Sequence, residues 1–199
     1  MNAVARNKFL YAILTVFAFA FTACNDSFTD ERDGQSYDVV QIGDQIWMAE
    51  NLNFAGTDLA TFCPDGDDRN CKKYGRLYTW EAALKACPEG WQLPTRDDLM
   101  KLIAAAETSS SQPGVALKST SGWFKKGNGT DAVHFNALPA GYKGDKFDGI
   151  GGYAYFWAST TDADEPAFAH YLFLDFSSPV AEIKSFDKNS ARSVRCIKK

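Results

Sequence analysis

The spacing of apolar residues changes several times along this chain, and each change predicts a different element. A predominantly apolar block runs from Phe9 to Phe21. Tyr37–Ile42, rich in β-branched and aromatic residues, and Ile46–Glu50, apolar as far as Ala49, flank a turn at Gly43-Asp44-Gln45, which predicts a β-hairpin. Asn51 to Lys73 keeps no period and reads as a long irregular segment. Leu77-Tyr78 suits a short strand. Helical spacing starts at Trp80, with Thr79 as cap, Glu81 in the first turn and Pro88 after Cys87 as the stop. A second helix opens on the capping box Thr95-Arg96-Asp97-Asp98. It runs to about Ala106 and places Leu99, Leu102, Ile103 and Ala106 on one face. After Pro113 the pieces shorten and Gly-rich turns separate them: Gly122-Trp123-Phe124, Phe135 to Tyr142, and Tyr153 to Ser159. His170–Phe176 and Val180–Phe186 form a second hairpin about Ser177-Ser178-Pro179, and Ser193–Ile197 reads as a terminal strand. Two helices among many short strands predict an α+β domain with a mainly antiparallel, twisted sheet and a long loop region.

The apolar block is too short for the roughly 20 residues of a membrane span. With Arg6 and Lys8 before it and Thr22-Ala23 after it, it reads as an export leader. Phe21-Thr22-Ala23-Cys24 resembles the lipobox of a bacterial lipoprotein. The resemblance implies cleavage before Cys24, acylation of that residue and a lipid-anchored place in the bacterial cell envelope. A retained anchor or a plain secretory signal are the rival readings, and the second would leave an odd thiol. Asn25 after the cysteine resembles lipoproteins sent on to the outer membrane, surface-exposed ones included. The chain then divides into a leader (1–23), an acylated N-terminus with a flexible polar tether (24–33) and one globular domain (34–199). No internal repeat or long low-complexity tract interrupts it.

The formal charge is −4, and it becomes more negative once Arg6 and Lys8 leave with the leader. That balance argues against nucleic acid as a partner, since phosphate binding needs concentrated Lys and Arg. Four cysteines remain, Cys63, Cys71, Cys87 and Cys196. An even count in an exported chain reads as disulfides. Zinc is the rival, but there is no Cys-x-x-Cys pair and no histidine nearby. Cys63 and Cys71 flank a short loop and are expected to join, which leaves Cys87 with Cys196.

The aromatic residues are the strongest functional lead. Trp123, Tyr142, Tyr155 and Trp157 lie in or beside the Gly-rich second half, where flat rings can stack on sugars or, alternatively, fill the core. Alternation puts Tyr153, Tyr155 and Trp157 on one strand face, more readily a core face. Gly144 to Gly152 reads as a mobile loop, and the search for a ligand site starts between about residues 139 and 170. Asp162, Asp164 and Glu165 are a weak candidate calcium set, against a plain acidic loop. His134 and His170 read as strand residues, and nothing suggests a catalytic triad.

Several ordered segments together resemble one family. They are Gln45–Asn53, Tyr74–Trp80, Cys87–Pro94, Phe135–Gly141, Tyr155–Thr160 and Ser193–Cys196. In this order they resemble the Fibrobacter major paralogous domain (Fib_succ_major), over nearly all of the exported part. That family is similar in turn to the C-type lectin-like fold, which implies a bond from the first-helix cysteine, Cys87, to the final-strand cysteine, Cys196. Gly90-Trp91-Gln92-Leu93-Pro94-Thr95 is similar to the formylglycine-generating and sulfatase-modifying branch of that superfamily. The active parts of both relatives are missing. Glu165-Pro166 is followed by Ala167 where calcium lectins carry their sugar motif, no Trp-Asn-Asp occurs, and the cysteines are taken by structural or lipid roles. The expectation is a non-catalytic envelope binding module for polysaccharide or another surface protein. An enzyme of the sulfatase-modifying or glycan-processing kind, and a structural envelope component, are the alternatives.

Overall fold

The computed structural model describes residues 26–199. The leader and Cys24 lie outside the described residues. In chain order the elements are β1 (Ser27–Thr29), β2 (Ser36–Ile42), β3 (Gln45–Met48), β4 (Thr61–Phe62), α1 (Asp68–Tyr74), β5 (Leu77–Thr79) and α2 (Trp80–Ala86). They continue with β6 (Trp91–Gln92), α3 (Arg96–Ser109), α4 (Pro113–Leu117), β7 (Ala140–Lys143), β8 (Phe147–Ile150) and β9 (Tyr153–Thr161). The last are β10 (Phe168–Asp175), β11 (Ala181–Asp187), β12 (Ala191–Ser193) and β13 (Ile197–Lys198).

The strands form two sheets. One has the order β1-β2-β3-β13-β6. The other runs β11-β10-β9-β12-β5-β4, with the β7–β8 hairpin attached to β12. Pairing is antiparallel except where β12 meets β9. The fold is thus α+β and mainly antiparallel. Among the described residues no helix is long and apolar enough to cross a membrane.

Helix α3 starts where the capping box places it. The Thr95 hydroxyl accepts from the Asp98 amide at 3.1 Å, and the Asp98 carboxylate accepts from the Thr95 amide at 2.9 Å. Leu99, Leu102 and Ala106 are buried against Trp47, Phe135, Phe156 and Leu172 in a core shared with both sheets. Thr95→Ala removes one cap bond directly and is expected to lower stability by about 1 kcal/mol, read as a fall in the denaturant midpoint at unchanged slope.

Several expectations need correction. The described residues form four α-helices, not two. Helix α1 lies inside the segment read as irregular. Its residues carry no apolar period, and it is held instead by the Asp67 cap on the Arg69 amide and by the Cys63–Cys71 bond. Helix α4 is a short turn begun by Pro113. The Gly144–Gly152 stretch is no free loop, because β8 within it pairs with β7. The terminal strand is two strands in different sheets. Val194, Arg195 and Cys196, all buried, carry the chain between them.

The tether expectation fails for residues 27–33. Ser27, Phe28 and Thr29 pair with Asp38, Tyr37 and Ser36. Asp30 is wholly buried and takes a paired hydrogen bond from Arg32, whose guanidinium also donates to the Ala86 carbonyl and covers the Phe54 ring at 3.8 Å. Burial alone would raise the Asp30 carboxyl, but its bonds to Arg32 hold it below the usual carboxylate range. A mostly polar sequence is therefore docked by one charged clamp together with Phe28, whose ring lies 5.3 Å from that of Trp91.

Two covalent links and one cation tie the layers together. Cys87, at the end of α2, bonds Cys196 just before β13, and Cys63 bonds Cys71. Arg195 is fully buried and bonds only to neutral oxygens. Its Nε and Nη2 donate to Asn51 Oδ1, and its Nη1 donates to the carbonyls of Met48 and Phe135. The guanidinium carbon lies 4.5 Å from the Phe135 ring centre. Burial pulls this guanidinium down to about 9, still cationic at neutral pH.

Candidate functional site, an aromatic platform

Alternation along β9 divides its side chains. Ala154, Phe156 and Ala158 enter the helix-covered core. Tyr153, Tyr155 and Trp157 take the opposite face. Register then adds the neighbours. In β10, Tyr171 lies opposite Trp157, Phe173 opposite Tyr155 and Asp175 opposite Tyr153. In β11, Lys184 lies opposite Tyr171, Glu182 opposite Phe173 and Phe186 opposite Ala169.

The result is one continuous layer of rings. Trp157 meets Tyr171 edge-on at 6.1 Å, and Tyr171 meets Tyr155 at 5.7 Å. Tyr155 touches Tyr142 of β7 and Phe173, each at 5.1 Å. Tyr153 stacks on Phe173 at 5.8 Å and meets Phe176 at 6.1 Å. Phe176 in turn meets Phe124 at 6.4 Å. Exposure rises along this row. Trp157 is fully buried, Tyr142, Tyr153, Tyr155, Phe173 and Phe176 are half-buried, and Phe124 is 54 % exposed.

Phe124 is held out by a shaped loop. Lys125 and Lys126, which follow it, adopt left-handed backbone angles (φ 48° and 66°). The Phe124 ring lies over Gly151, where a Cβ would come within 2.4 Å of it. Gly127 sits equally close to the backbone, since a Cβ there would lie 2.3 Å from the Phe176 carbonyl oxygen. Both glycines are required by contact, not only by flexibility.

Arg192 of β12 lies among these rings and is 2 % exposed. Its guanidinium carbon is 4.3 Å from the Trp157 ring centre, 4.4 Å from Tyr171, 5.1 Å from Phe186, 5.6 Å from Tyr155 and 5.7 Å from Tyr142. Nη1 donates to the Ser190 hydroxyl, and Nε has no hydrogen-bond partner. Burial lowers this guanidinium to about 10, while the phenols of Tyr171, Tyr155 and Tyr142 pull the other way. Burial likewise pushes the Tyr155 hydroxyl above its ordinary range, so it stays a protonated donor near neutrality.

The structure brings together some of the expected residues and separates others. Tyr142 and Tyr155 form the middle of the platform. Trp157 is its buried floor, and its indole N–H already donates to the Tyr78 carbonyl at 2.9 Å. Trp123 is a correction: it packs in the helix-side core and donates to the Ser119 hydroxyl at 3.0 Å and the Ala137 carbonyl at 3.2 Å. The calcium set is a second correction. Asp162 Oδ1 accepts from the amides of Asp164 and Glu165, so the acids shape a turn. Among the described residues no three His, Cys, Asp or Glu side chains converge as a metal site. His170 lies in β10, but His134 is exposed on a bend with φ 57° rather than on a strand. Sequence reading missed Phe173, Phe176, Phe124 and Arg192. The alternation of Tyr171 with Phe173 beside that of β9 was the available signal for the first.

Fold and surface together define a small disulfide-bonded α+β domain that presents an aromatic sheet face. The family model of the Fibrobacter succinogenes major domain (Fib_succ_major) matches residues 40–198. The chain belongs to that family. No curated protein and no solved structure matches it.

Proposed function

We propose that this domain is a non-catalytic binding module of the bacterial envelope, anchored through acylated Cys24, and that its platform holds polysaccharide. We also read its fold as C-type lectin-like, on the strength of the Cys87–Cys196 link from first-helix end to last strand. The observation that carries the binding reading is the row of rings from Tyr142 to Phe124, half-buried up to the exposed Phe124, on a sheet backed by core. Apolar ring area left in water is unfavourable, and a contiguous exposed patch marks a contact surface. Ring faces suit the C–H faces of sugars, and the hydroxyls of Tyr142, Tyr153 and Tyr155 can bond sugar oxygens.

An enzymatic reading fits less well. The groove of about 470 Å³ beside β1 contains Asp30, Glu31 and Glu89. Arg32 holds Asp30 as the carboxylate, which is the wrong state for a general acid.

The test is a pull-down of residues 26–199 with a panel of soluble and insoluble polysaccharides. Tyr142→Ala and Tyr155→Ala are each expected to weaken binding by about tenfold, in line with roughly 1–1.5 kcal/mol per aromatic contact, with the fold retained. A domain that retains no polysaccharide, or whose binding ignores both substitutions, rules the platform out.

A further inference from the structure

We propose that the polymer held by the platform is anionic, a polysaccharide carrying carboxylate or sulfate groups; this rests on the binding reading above. The argument begins with Arg192, a buried cation without an anion. The chain has 25 acidic and 21 basic side chains, so carboxylates are in excess. Arg32, Arg69 and Arg96 each have an aspartate within ion-pair distance. Arg195 has none, but oxygen acceptors engage all three of its nitrogens. Arg192 differs from both. Among the described residues no carboxylate pairs with it, its partners are the neutral hydroxyls of Ser190 and Tyr171, and its Nε is free. Ring faces stabilise such a cation but do not cancel its charge. In a low-dielectric layer the field of an uncancelled charge reaches farther than in water, and here it emerges through the half-buried rings of Tyr142 and Tyr155.

The exposed charges of the same face point the same way. Lys184 lies over the Phe173 ring with Nζ 4.2 Å from its centre, and Lys125 lies over Phe176 at 5.6 Å. Lys126 follows beside it. Of the nearby acids, Glu182 pairs with Lys184 at 3.1 Å, Asp175 Oδ1 accepts from the amide and hydroxyl of Ser177, and Asp148 lies exposed opposite Tyr142 at the β7–β8 edge, away from Lys184 and Lys125. Lys184 and Lys125 also cover ring faces that a sugar needs. An anionic polymer draws the ammonium groups off the rings onto its own acid groups, and that uncovers the stacking surface. A neutral polymer has to displace them without return.

The experiment uses two matched pairs, polygalacturonate against its full methyl ester and dextran sulfate against dextran, with residues 26–199 and a panel of neutral polysaccharides alongside. At about 50 mM salt at least one acidic member is expected to bind about tenfold or more tighter than its neutral partner, and the gap should close at about 500 mM. Lys125→Glu with Lys184→Glu should erase the preference while leaving the melting curve and the disulfides intact. Arg192→Met probes the buried charge directly. Because it can unfold the domain, the lysine pair and the salt series carry the decision. Equal affinity within both pairs, or a preference indifferent to salt and to the lysine changes, overturns the anionic inference and leaves the polysaccharide reading standing. Failure to bind every polymer, neutral and acidic, overturns the polysaccharide reading itself.

Discussion

Replacing Cys87 and Cys196 together with serine is expected to lower the melting temperature by about 10–20 °C. The bond closes a sequence separation of 109 residues, against 8 for Cys63–Cys71. On the chain-entropy account the long loop contributes about 4–5 kcal/mol and the short one about 2.5–3. The structure adds a reason for the larger loss. Cys196 also gives its carbonyl to the Met48 amide at 3.0 Å, so the bond pins α2, β3 and β13 at one point. Paired thermal melts of the two double-serine variants check this. Equal losses from the long and short loops would refute the ranking.

Arg195→Met is expected to destabilise the domain by about 3–5 kcal/mol. Methionine fills much of the space, so packing alone predicts a small effect. The loss comes instead from acceptors. Asn51 Oδ1 and the carbonyls of Met48 and Phe135 all take hydrogen bonds from this one guanidinium. Each is buried beside it, and an orphaned buried acceptor costs about 1–3 kcal/mol. Adding Asn51→Leu to the methionine variant removes one orphan and should recover part of the loss. Chemical denaturation of the single and double variants measures both steps. A methionine variant as stable as the parent would show that Arg195 ties nothing together.

What could be read from the sequence depended on which force formed each element. The β2–β3 and β10–β11 hairpins and helix α3 were legible because their apolar residues cluster, alternate or repeat and their turns and caps use distinctive residues. The disulfides were legible from cysteine parity and spacing. Helix α1 was not, since Asp-Arg-Asn-Cys-Lys-Lys-Tyr buries only Cys71 and Tyr74 and depends on a cap and a crosslink. Strand β1 was not, because its dock is the Asp30–Arg32 clamp beside Phe28, and nothing in a mostly polar run shows that its charges will meet. The split of the last strand follows from Arg195 bonding across the gap, a three-dimensional fact.

The candidate site was half legible for a similar reason. Tyr142 and Tyr155 were named from composition, and Trp123 was named on equal grounds. Only the fold tells them apart, by giving the Trp123 indole its Ser119 and Ala137 acceptors inside the core. Asp162, Asp164 and Glu165 look alike whether they hold a cation or bend the chain. Arg192 carried no signal at all, since what makes it unusual is the set of rings that four other strands bring to it.

The early docking of the chain also sets how the domain is carried. The Asp26 carbonyl already accepts from the Val39 amide at 2.8 Å. Only Asn25 separates that point from Cys24, and two peptide units reach about 7 Å at most. If Cys24 carries lipid as proposed, this globule would not sweep the space above a bilayer like a ball on a string. It would ride against the lipid headgroups in a narrow range of orientations, and whatever it grips would be drawn down to the cell surface.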